Sequence, residues 1–267
     1  MFSSSVWHDA AVWRISWLSL ALFTLTVGGY MTWRMLVPAE PQLARRATTA
    51  FLAALVVSFV YAGSLLQRDA MMYESVHMAS HLVVMLVLAP LAVMATSTSA
   101  TTTPAQHVLA RATRNPVLCF LAMALVVPLF HLTVVGSKAM VNNNLHAVEL
   151  LFFAGIGVAY WRLVVSAVPS VRLPTSAQRV AYVALALPVI FFSGVAMTAM
   201  PKPLALMSAM PAPLALRDVH QAGVVMIVIG DGVLALYAFV ILLAGRRGSR
   251  TPRTGSFGPV PSAVGPI

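Results

Sequence analysis

Five of the seven histidines in this chain stand at the ends of long apolar stretches. His77 and His81 are four residues apart, and on a helix that spacing sends both rings out from one face with Cβ atoms about 6 Å apart. The separation suits two ligands of one metal ion, or a ligand and the group that orients it. It suits equally two interfacial histidines bonded to water or backbone. His131 lies near the end of the next apolar stretch, His146 opens the one after it, and His220 opens the last. Imidazole is costly in hydrocarbon, so histidines gathered at one end of a helix bundle point to a metal or haem site.

Hydropathy shows which elements must carry these residues. The chain is 60% hydrophobic and 9% charged, against roughly 25% charged residues in an average soluble domain. Apolar runs of about twenty residues recur, each long enough to cross a hydrocarbon core of about 30 Å. They predict an all-α polytopic membrane protein with seven transmembrane helices in one bundle. The spans fall at about 15–37, 47–66, 77–97, 115–136, 145–167, 178–200 and 219–244. Residues 1–245 form this domain, and 246–267, rich in Gly, Pro, Ser and Arg, read as a disordered cytoplasmic tail. The first run has little positive charge ahead of it and no clean small-residue cleavage site after it, so it does not read as a signal peptide. The single cysteine, Cys119, excludes an intrachain disulfide and any Cys-x-x-Cys motif, and reads as core packing.

The net charge of +10 follows membrane topology rather than nucleic-acid binding. Of the seventeen Lys and Arg, twelve fall on one side of the expected bundle: Arg34, Arg45, Arg46, Arg111, Arg114, Arg162, Arg172, Arg179, Arg246, Arg247, Arg250 and Arg253. Arg14, Arg68, Lys138, Lys202 and Arg217 make up the other five. Alternation of this kind predicts a bacterial plasma-membrane protein, surrounded by lipid, with its N-terminus outside and its C-terminus in the cytoplasm. His77, His81, His131, His146 and His220 then share the outer layer, His131 about 7 Å below the surface by helix rise.

Acidic and soft side chains collect in the same layer. Glu149 follows His146 by one turn on the same face, and a carboxylate inside a span needs a partner. Glu149, and Asp218 just ahead of His220, are expected to orient histidine rings. Asp69 and Glu74 read as solvated loop charges. Among fifteen methionines, Met71, Met72 and Met78 flank the histidine pair, while Met197, Met200, Met207 and Met210 occupy the other outer segment. Thioether is a soft donor that favours Cu(I), which makes Met72, Met78 and Met200 possible ligands and copper the expected metal. Methionine is also a common apolar filler. Asp231, midway along the last span, reads as a proton relay, a helix contact or a protonated structural acid. His8 and His107 receive no role.

Two other functions fit parts of this pattern. A haem-binding electron carrier would use paired histidines as axial ligands, best stacked across the bilayer, whereas these form one layer. A proton-coupled transporter would need charges at mid-depth in several spans, and only Asp231 stands there. A retinal-type receptor is excluded, because the last span has no lysine for a Schiff base.

The motifs also resemble a family. His77-Met78-Ala79-Ser80-His81 running to Pro90, Asn115-Pro116, the lone His131, Leu145-His146 with Glu149, Gly155 and Trp161, and Asp218 through Gly223 are together similar to the membrane-embedded cytochrome c oxidase assembly factors of the CtaG type, associated with caa-type oxidases. The likeness covers spans three to seven. Ser80 stands where the family often has Gln, Leu150 where it often has a second histidine, and Val219 where it has Gln. The resemblance implies a non-enzymatic role in respiratory-chain maturation, with oxidase subunits as partners and copper as the metal held or delivered.

Overall fold

A computed structural model describes residues 27–28, 30–32, 40–63, 69–70, 72–96, 115–167, 173–203 and 210–249. All regular structure among them is helical. In chain order the helices are α1 (Pro41–Gly63), α2 (Glu74–Thr96), α3 (Pro116–His131), α4 (Val134–Met140), α5 (Asn143–Val165), α6 (Ser176–Thr198) and α7 (Ala212–Ser249). Five of them, α1, α2, α5, α6 and α7, are long and apolar enough to cross a membrane, and α3 is apolar but shorter. The first of the seven expected spans, at 15–37, lies almost wholly outside the described residues, as does the tail from 250 onward. Large apolar side chains cover the outside of the bundle: Leu151 is 72% exposed and Phe192 67%. Such a surface requires lipid as its solvent.

α2, α5, α3, α6 and α7 form a ring in that order, closed by contact of α7 with α2, and α1 packs on the last turns of α2. α6 and α7 run antiparallel along their whole lengths. They touch backbone to backbone where Gly194 meets Gly223, since a Cβ on Gly194 would stand 2.7 Å from the Gly223 carbonyl oxygen. Small residues at this crossing let two helices approach as hydrocarbon-embedded helices prefer.

Prolines shape three of the spans. Pro90 has no N–H to offer the carbonyls of Met85 and Leu86, five and four residues earlier, and the turn Val83–Leu88 widens into a π-helix. Two aromatic donors replace the missing one. Trp161 Nε1 of α5 donates to the Met85 carbonyl at 2.8 Å, and the Tyr237 hydroxyl of α7 donates to that of Leu86 at 3.2 Å. Pro188 breaks α6 at Leu185 into Ser176–Ala184 and Ala186–Thr198. Pro128 lies in the last turn of α3.

Several expected boundaries are displaced. The span at 115–136 ends at His131, because Thr133 turns extended and caps the separate helix α4 by accepting from the Val135 N–H at 3.2 Å. The last span, expected from 219, already begins at Ala212, where Pro211 and Pro213 lack the N–H groups that a first helical turn leaves unsatisfied. It also runs to Ser249, past the expected end of the span at 244.

Candidate metal centre

The first turn of α2 is held from another helix. Tyr73, its N-cap residue, makes no side-chain cap bond. The Asp218 carboxylate of α7 instead accepts from the Glu74 N–H at 2.5 Å, the Ser75 N–H at 3.4 Å and the Ser75 hydroxyl at 2.5 Å. These are the donors that a helix start leaves unsatisfied, and a carboxylate there also meets the positive end of the helix dipole. So anchored, α2 turns Glu74, His77, Met78, His81 and Leu82 inward, the positions expected of one helical face.

His77 and His81 meet His146 and Glu149 of α5 in the interior. Glu149 is fully buried, and its Oε2 lies 3.2 Å from His77 Nε2, 3.5 Å from His81 Nε2 and 3.4 Å from His146 Nδ1. One ligand atom from each of these four residues falls within 4.8 Å of all the others. Four donors about 2.0–2.2 Å from a shared tetrahedral ion stand about 3.3–3.6 Å apart, so the group would draw in by about 1 Å to hold one. The His77 and His81 ring centroids are 4.3 Å apart, and Phe153 stacks on His81 at 4.2 Å.

Hydrogen bonds decide which nitrogens are bare. His131 Nδ1 can only donate to the Val127 carbonyl, one turn earlier on α3. Its Nε2 is therefore an acceptor, and His81 Nδ1 donates to it across 3.4 Å. This leaves His81 Nε2 with a lone pair aimed toward Glu149. His77 Nε2, His81 Nε2, His146 Nε2 and Glu149 Oε1 are shut off from solvent, and none makes a directed hydrogen bond. Buried polar atoms are almost always paired, so a cluster of unpartnered imidazole and carboxylate atoms could hold a cation.

The remaining expected residues sit around this core in different ways. His131 touches His81 but is outside the group of four. His220 is outside it too, and its Nε2 donates to the Met200 carbonyl at 3.0 Å, pinning the segment before α7. Asp218 reaches the start of α2 rather than an imidazole. Met78 is fully buried, Met200 is half-buried against the core, and Met72 is 57% exposed. Met71 and Met207 lie outside the described residues. Glu74 corrects the expectation of a solvated loop charge, since it is only 3% exposed. Its place three residues before His77 was the available signal, because that spacing shares a helical face.

Helices of this length and surface, closed around three imidazoles and a carboxylate, define a polytopic membrane protein with an intramembrane site suited to a metal ion. The model of the cytochrome c oxidase caa3 assembly factor family matches residues 27–247, and the chain belongs to that family. No curated protein and no solved structure shows a significant match.

Proposed function

We propose that this protein is a non-enzymatic assembly factor that holds a copper ion between His77, His81, His146 and Glu149 and releases it to a cytochrome c oxidase at the outer face of the membrane. The observation that carries this reading is the convergence of three buried imidazoles on Glu149 Oε2. Divalent copper binds a given nitrogen and oxygen set more tightly than its first-row neighbours. A carboxylate at the focus of three imidazoles suits a free ion better than a haem iron, whose porphyrin already fills four positions. His131 fixes the tautomer of His81, a role whose loss typically weakens a metal site 10- to 100-fold. His220 holds the segment carrying Met200, and Met72, exposed ahead of α2, would meet an incoming copper ion first. The outer location rests on the division of arginines along the chain.

Copper titration of the purified protein, followed by elemental analysis, tests the proposal. One equivalent should bind, with binding weakening as pH falls because imidazole must lose its proton to coordinate. Glu149→Gln and His81→Ala should each weaken binding by about 100-fold or more, while Met94→Leu, far along α2, should leave it unchanged. Wild-type protein that takes up no more copper than Glu149→Gln would overturn the metal reading. Full oxidase activity at limiting copper in a His77/His81 double mutant would overturn delivery.

A further inference from the structure

A second site stands away from the histidines, on the outside of the bundle. Asp231 ends the π-helical turn Met226–Asp231 of α7, eleven residues beyond His220 and so about 16 Å farther along the helix. It opens onto a groove of about 580 Å³ walled by Pro188, Phe191 and Phe192 of α6 and by Asp231, Gly232 and Ala235 of α7. Asp231 is half-buried and lines the groove, and its inward Oδ1 atom has no hydrogen-bond partner among the described residues. No basic side chain lines the groove. Beside the carboxylate, a Cβ on Gly232 would meet nothing within 4 Å, so the gap is real space.

Around the groove the surface is apolar and lipid-facing, with Phe192 67% and Val228 65% exposed. Acyl chains offer no donor, and an acid at this depth needs one. We propose that the groove between α6 and α7 docks a transmembrane helix of another protein that inserts a basic side chain beside Asp231. Charge complementarity selects the occupant. A second copy of this chain, docked symmetrically, would bring carboxylate against carboxylate. The small residues Gly232 and Ala235 admit a helix closely, and the phenylalanines of α6 flank it as such interfaces favour. The inference is independent of the metal reading.

Photocrosslinking of the full chain in native membranes tests it, with a benzophenone side chain at Ala235 and, as control, at Leu236. The Ala235 probe should yield a protein adduct whose crosslinked peptide lies in an apolar segment carrying Lys, Arg or His. Asp231→Leu should lower its yield about 5- to 10-fold, and so should Gly232→Leu, which keeps the acid but fills the gap. Asp231→Lys should abolish the adduct, and placing Asp at the partner's basic position should restore it. An unchanged unfolding temperature in the variants separates lost docking from lost folding. An adduct with a second copy, adducts with lipid alone, or a yield indifferent to Asp231→Leu would each overturn the proposal.

Discussion

The π-helical turns of α2 and α7 are the same backbone device with opposite outcomes. In α2 the turn lies inside the ring of helices, with Val84, Met85 and Leu86 buried, and Trp161 and Tyr237 reach in to satisfy the carbonyls that Pro90 leaves without a donor. In α7 only Met226 and Gly230 are buried, Val228 and Ile229 face outward, and the carboxylate that closes the turn has an oxygen with no donor. A widened turn in hydrocarbon is stable where neighbouring helices complete its hydrogen bonds.

The largest expected effect breaks the contact that sets the α7 turn against α6. Gly223→Val would drive a branched side chain into Gly194 and Thr198, whose backbone nitrogen would lie 2.9 Å from the new Cβ. Overpacking of this kind should cost about 3 kcal/mol, read as a lower midpoint of unfolding in detergent. Next comes the satisfied turn. Trp161→Phe leaves the Met85 carbonyl without its donor and should cost about 1–3 kcal/mol. Adding Pro90→Ala returns a backbone N–H to that stretch and should recover much of the loss. If it recovers none, the proline account of the α2 turn fails. Smallest is the unsatisfied turn, where Asp231→Leu removes an acid with no internal partner and should change stability by no more than about 0.5 kcal/mol. A loss comparable to that of Trp161→Phe would mean that Asp231 is bonded within the protein, and the contrast between the two turns would vanish.

Local spacing made part of the candidate centre legible. The four-residue step from His77 to His81 and the three-residue step from His146 to Glu149 each follow from helical periodicity, and an acid within a span already pointed to a partner. Asp218 was harder to read. It bonds a backbone N–H 144 residues earlier in the chain, and nothing in its neighbourhood distinguishes a carboxylate that orients a ring from one that caps a distant helix. Glu74 was misread for a related reason. Beside Asp69 in a polar stretch it resembles a loop charge, and only the docking of α7 on the start of α2 encloses it. The boundary at His131 failed because Thr133 has a local choice between continuing a helix and capping a new one, a choice settled by the chain's return toward α5.

By itself, the sequence determined that the chain lives in lipid, that its spans are helical, and which residues share a face of each. Those properties follow from the lack of water for the backbone and from a period of 3.6 residues, both of which act within a single segment. Only the tertiary structure decided which faces meet. Whether His146 and Glu149 look at His77 and His81, whether His131 sets a tautomer, and whether Asp231 finds a donor all depend on the rotation and depth of helices far apart in the chain. Close-packed side chains such as Phe153 and backbone contacts such as Gly194 with Gly223 fix those quantities, and no local pattern encodes them.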